Sequence, residues 1–152
     1  MNGVNAVVFK SDSAERETPQ ELFDKLDSVY HFNLDPCSTH ENAKCERHFT
    51  KVEDGLKQPW GGYTVWCNPP YGKEIIQWVK KGYTEGHKPG TTVVMLLPAR
   101  TDTKWFHEYC TDAKITFIRG RIKFGGSKNN APFPSILVEF KSGETDETQG
   151  QG

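Results

Sequence analysis

The sequence predicts an open α/β domain: a mostly parallel sheet with helices on both faces. Three observations predict it. Thr91 to Leu97 is a near-continuous apolar run, the pattern of a strand buried on both faces. Amphipathic helical stripes alternate with short apolar strands along the chain. Sharp turn signals follow the strands, above all Asn68-Pro69-Pro70. A chain of 152 residues is one domain and can bury a core without staples.

The elements follow in order. Residues 1–13 are polar with weak periodicity and read as a flexible lead-in, ahead of a globular domain over 14–141. Thr18, Pro19 and Glu21 form an N-cap, a first-turn proline and a capping box. Leu22, Phe23, Leu26, Val29 and Tyr30 then give a helical stripe. His31 to Leu34 is a short strand ending at Asp35-Pro36, and Tyr63 to Cys67 a second, stopped by Pro69 and Pro70. Lys73 to Tyr83 has helical spacing through Ile75, Ile76, Trp78, Val79 and Tyr83. Thr103 to Cys110 is a short helix, capped by Thr101 or Asp102. Lys114 to Ile118 and Ser135 to Phe140 are strands, with Arg121 to Phe124 a further candidate. Residues 142–152 are Gly, Glu, Thr and Gln and read as a disordered tail. In open α/β sheets ligands sit beyond the carboxyl ends of the strands. Asp35 to Ser38, Asn68 to Tyr71 and Pro98 to Thr101 should therefore share one rim.

Composition narrows the function classes. No apolar run approaches the roughly 20 residues of a membrane span, and the first ten residues lack the pattern of a signal peptide. A cytosolic protein without membrane partners is expected, its cysteines reduced thiols. The net charge of −1 creates no global field for nucleic acid. The basic residues concentrate locally, however: Lys114, Arg119, Arg121, Lys123, Lys128 and Lys141 are offset only by Glu139 in the stretch from Ala113 to Lys141.

Asn68-Pro69-Pro70-Tyr71 carries the chemistry. The lone pair of an aromatic amine is delocalised into its ring, so alkylating it needs acceptors that favour a pyramidal nitrogen. The Asn68 side-chain carbonyl and the Pro69 main-chain carbonyl can accept the two amine hydrogens and stabilise the charge that develops. The prolines stiffen the loop, and Tyr71 offers a ring on which an extracted base can stack. Read blandly, the tetrapeptide is a turn closing a strand. Its place between a buried strand and an amphipathic helix favours the functional reading.

The tetrapeptide resembles the catalytic loop of S-adenosylmethionine-dependent amino-methyltransferases. More narrowly, the chain resembles the phage-encoded DNA N-6-adenine-methyltransferases, the phage Dam family. The resemblance rests on Thr18 to Phe23, Leu34 to Cys37, Asn42 to Cys45, Glu53 to Leu56, Trp66 to Gly72 and Leu97 to Asp102, spread over nearly the whole domain. It implies a compact Rossmann-like methyltransferase fold, with residues 14–141 as the catalytic domain. It further implies methyl transfer from S-adenosylmethionine to the N-6 amine of adenine in DNA, with Asn68, Pro69, Pro70 and Tyr71 as the catalytic loop. Thr18, Pro19, Asp35, Pro36 and Cys37 would contact the cofactor, and Asp54 would accept from its adenine amine. One departure stands: Asp35 to Ser38 lacks the glycine-rich loop common after a first strand in such domains, and Asp35 also suits a plain helix cap.

DNA contact is expected from Arg100 and Lys104 at the rim and from Arg119, Arg121, Lys123 and Lys128 around a glycine-rich loop. The target is duplex DNA with the base flipped out, or a single strand. Trp60, Trp66, Trp78 and Trp105 are read as core. Cys37, His40, Cys45 and His48 have the types and spacing of a small zinc loop. The gap between the pairs is shorter than usual finger spacing, and no metal is assigned. Alternatives are the same chemistry on a cytosine amine, RNA or a protein glutamine, or a non-enzymatic zinc-stabilised nucleic-acid-binding protein. So short a chain leaves little room for a separate recognition domain, so a short or relaxed target sequence is expected.

Overall fold

The structure, a computed structural model, describes residues 16–142. The lead-in expected over 1–13 and nearly all of the tail expected over 142–152 lie outside the described residues.

Helix α1 spans Gln20–Tyr30, strand β1 Thr64–Cys67, helix α2 Ile75–Gly86 and strand β2 Thr92–Pro98. A π-helical turn over Phe106–Cys110 leads to β3, Lys114–Phe117, and β4 is Ser135–Lys141. The sheet order is β1-β2-β4-β3. Strand β1 pairs β2 in parallel, while β4 runs antiparallel between β2 and β3. The sheet is therefore mixed where a mostly parallel one is expected. Chain order explains this: β3 and β4 are consecutive, and β4 folds back beside its predecessor into the space next to β2. No helix separates them to carry the chain over for a parallel return.

Side chains alternate across the sheet. Val65, Cys67, Val93, Met95, Leu97, Ile136, Val138 and Phe140 face Ile75, Trp78 and Val79 of α2. Trp66, Val94, Leu96 and Leu137 face Phe23 of α1, with Ile122, Phe124 and Phe133 filling the same layer. Helices thus cover both faces. Gly86 lets α2 approach closely: a Cβ there would lie 2.5 Å from the Phe140 Cβ and 2.9 Å from its carbonyl oxygen. The four tryptophans are all buried, as their reading as core requires.

Several local expectations are corrected. The capping box does not form: Pro19 takes the N-cap place with no side-chain cap bond. The expected strand at His31 to Leu34 reduces to isolated parallel bridges, Leu34 with Val65 and Asp35 with His48. Left-handed His31 (φ 59°) ends α1 too late for a longer run. The candidate strand at Arg121 to Phe124 is irregular, held by the Glu17–Gly125 bridge. Thr103, rather than Thr101 or Asp102, accepts from the Phe106 N–H (3.3 Å). Among the described residues no helix is long and apolar enough to cross a membrane.

Candidate active site

The three loop segments do share one rim. Leu34 bridges Val65 and its carbonyl accepts from Trp66 N–H (2.9 Å), so Asp35 emerges beside the end of β1. Asn68 follows β1 directly, and Ala99 follows β2, where its N–H bonds the Pro134 carbonyl (2.8 Å) ahead of β4.

Asn68 is fixed through its nitrogen. Nδ2 donates to the Arg16 carbonyl (2.6 Å) and to Thr18 Oγ1 (3.1 Å). With both hydrogens placed, the amide has one orientation. Its Oδ1 is buried and has no hydrogen-bond partner among the described residues. An unpaired buried donor or acceptor costs about 1–3 kcal/mol; Ser38 Oγ, Trp78 Nε1 and Ser135 Oγ share that state, but only Asn68 Oδ1 belongs to the loop that directly follows β1.

Tyr71 closes the aromatic side of the site. Its hydroxyl donates to the Leu96 carbonyl (3.1 Å), and burial pushes its pKa far above the usual phenol range. It therefore offers a neutral ring and no acid or base. Phe133 and Phe124 meet that ring edge-on, at centroid distances of 5.6 and 6.4 Å. The Arg16 guanidinium lies over Tyr71 and Phe133, and that of Arg100 over Phe133 at 5.7 Å. Arg16, Phe124 and Phe133 were not singled out in the sequence. The prolines flanking Phe133 and the apolar alternation of Ile122 and Phe124 were the available signals; Arg16 carried none.

The Asp35 to Cys37 segment meets the turn carrying Asp54. A Cβ on Gly55 would fall 2.0 Å from the Pro36 carbonyl oxygen, so only glycine permits this approach. Asp54 holds φ 62° and accepts from Leu56 N–H (3.1 Å), capping the short 3-10 turn Gly55–Lys57. Asp35 is buried, its Oδ1 accepting from Cys37 N–H (3.2 Å) and its Oδ2 from Lys44 N–H (2.9 Å). Burial raises its pKa to about 6 against the pull of those two bonds. Both oxygens are thus engaged in shaping the loop, which gives Asp35 a structural task. Thr18 sits against the Asn68 loop, and Pro19 opens α1 next to it.

The basic candidates Arg100, Lys104, Arg119, Arg121, Lys123 and Lys128 are all exposed. Ile122 and Phe124 anchor their segment in the core beneath Tyr71, and so turn Arg121 and Lys123 outward beside the aromatic cluster. The zinc candidates do not converge. Cys37 packs into the core layer under α2, and Cys45 into the opposite layer under α1. His40 and His48 bond each other (2.9 Å). Burial pushes both thiols up to about 12. Among the described residues no group of three or more His, Cys, Asp or Glu side chains could hold a metal ion.

Residues 6–148 match the family described as DNA N-6-adenine-methyltransferase (Dam). The chain is 30% identical over 144 residues to the DNA N-6-adenine-methyltransferase of Haemophilus phage HP1 (strain HP1c1), covering 88% of this chain and 83% of that relative. It is also 30% identical over 159 residues to the DNA N-6-adenine-methyltransferase of Escherichia phage T1, covering 86% of this chain and 65% of that relative.

Proposed function

The chain belongs to the DNA N-6-adenine-methyltransferase (Dam) family, and from that premise we propose that Asn68, Pro69, Pro70 and Tyr71 carry out methyl transfer from S-adenosylmethionine to adenine. Family membership favours adenine in DNA over cytosine, RNA or glutamine, and an enzyme over a binding-only protein. The observation that carries the site assignment is the buried Oδ1, unpaired among the described residues, of an Asn68 amide whose nitrogen is already committed.

The target adenine leaves the base stack, or arrives single-stranded, and lies against the Tyr71 ring. Asn68 Oδ1 and the Pro69 carbonyl accept its two amine hydrogens, drawing the lone pair onto nitrogen. These carbonyls also stabilise the positive charge that grows there. S-adenosylmethionine would supply a methyl group on an electron-poor sulfur. The chain contributes orientation and preorganised acceptors, with no covalent enzyme intermediate. The residues present fit the cofactor: Gly55 and Pro36 bring Asp54 and the Asp35 to Cys37 segment together on the same rim as Asn68. Asp54 and the backbone of Pro36 and Cys37 would hold it, with Asp35 bracing that loop from behind.

The fold reads as a compact Rossmann-like methyltransferase domain. In support, β1, β2 and β3 run in one direction, helices cover both faces, and the site lies beyond the carboxyl ends of β1 and β2. Exposed Arg100, Lys104, Arg119, Arg121, Lys123 and Lys128 contact DNA, in a host cytoplasm for phage-encoded members.

The test is transfer of labelled methyl from S-adenosylmethionine to unmethylated DNA, followed by nucleoside analysis. Label is expected in N-6-methyladenine. Asn68→Ala should abolish transfer and leave cofactor binding intact; near-normal turnover of that variant would sink the assignment.

A further inference from the structure

Thr18 stands where a helix cap is expected, yet its hydroxyl caps nothing. It accepts from Asn68 Nδ2 (3.1 Å), fifty residues away in the chain. We propose that Thr18 is a positioning residue for methyl transfer: its hydroxyl locks the Asn68 amide so that Oδ1 faces the substrate amine. The inference rests on the catalytic role given above to Asn68.

The geometry supports a lock. The amide nitrogen has two hydrogens, one taken by the Arg16 carbonyl and the other by Thr18 Oγ1. Losing the second acceptor frees the amide to swing or flip, and a flipped amide would turn donors toward an amine that itself needs acceptors. Thr18 is well placed to hold still. It is buried; the neighbouring Glu17 carbonyl accepts from Gly125 N–H (2.9 Å), and Pro19 starts α1 on the other side. Glycine-lined backbone at 125 and the helix thus clamp the short segment that holds Asn68. Thr18 reaches the reaction only through Asn68 and touches neither reacting atom.

The experiment compares wild type with Thr18→Val, which keeps the shape and removes the hydroxyl, and with Thr18→Ser, which restores it. Single-turnover transfer to unmethylated DNA is measured with S-adenosylmethionine saturating, and cofactor affinity is measured separately. Thr18→Val should slow transfer about tenfold, the order expected for one hydrogen bond that matters in the transition state. Cofactor affinity should not change, and Thr18→Ser should recover most of the rate. Thr18→Ala serves as the hydroxyl-free variant where valine is not accommodated. An unchanged rate in the hydroxyl-free variant overturns the proposal. So does a loss confined to cofactor affinity, which would make Thr18 a cofactor contact, or a loss that serine does not rescue. An active Asn68→Ala enzyme is a different result: it removes the catalytic reading of Asn68 itself.

Discussion

The Arg16 guanidinium lies 5.0 Å from the centroid of the Tyr71 ring, while the carbonyl of the same residue holds Asn68 Nδ2 at 2.6 Å. One residue thus covers the Tyr71 ring with its side chain and fixes the Asn68 amide with its main chain. Arg16→Ala removes only the first function. Its folding stability should drop by about 0.5–1 kcal/mol, the usual worth of a cation–π contact, read from denaturant midpoints. The maximal transfer rate should stay within a few-fold of wild type, because the carbonyl remains. A rate as low as that of Asn68→Ala would show that the guanidinium itself shapes the loop.

Gly55 should be intolerant of a side chain. A Cβ at 2.0 Å from the Pro36 carbonyl meets backbone, which cannot rotate away. Gly55→Ala is expected to cost about 1–3 kcal/mol as overpacking and to push the Asp54 turn off the Asp35 to Cys37 loop. Cofactor affinity, followed by calorimetric titration with S-adenosylmethionine, should fall well below that of Asn68→Ala. Equal affinity in the two variants would argue against a cofactor pocket built from those segments.

Arg121 and Lys123 should act through phosphate alone. Replacing both by glutamine is expected to reduce the slope of log K for DNA against log salt by about 2, since each phosphate contact contributes about 0.9. The cofactor dissociation constant should not move. An unchanged salt slope would place the DNA on another face.

Asp35 should leave a pH signature. Burial raises its folded pKa from the ordinary 3.8 to about 6, so between those values the folded protein binds more protons than the unfolded chain. Its contribution is fully present below 3.8 and is lost as pH rises through about 6. Asp35→Asn cannot titrate and keeps a single acceptor for the two N–H groups that Asp35 serves. The variant should be the less stable. The gap between the two proteins should narrow as pH rises across that window and then level off. A gap independent of pH, measured by urea unfolding, would contradict the raised pKa.

Much of the candidate site was legible in the sequence, and for local reasons. Asn68 to Tyr71 announce themselves because two prolines after an apolar strand dictate a stiff turn wherever the chain places it. The strands at Thr64–Cys67 and Thr92–Pro98 were equally readable, since burial on both faces demands an uninterrupted apolar run. What the sequence alone determined was therefore the layered α/β class, the stiff turn at Asn68 to Tyr71, and the resemblance that names the chemistry.

The tertiary structure decided the rest, because those features depend on partners far away in the chain. Thr18 looks like a helix cap until Asn68 arrives, fifty positions on, and competes for its hydroxyl. Arg16 gives no periodic signal, and its role exists only because the Glu17–Gly125 bridge lays that segment across the end of β1. The reversal of β4 was equally hidden: an apolar strand reads alike in either direction, and only the space left beside β2 chose between them. Cys37 and Cys45 shared a zinc-like spacing, but the chain between them carries them to opposite core layers. Spacing along a loop constrains distance only as an upper bound, and packing fixed what lay within it.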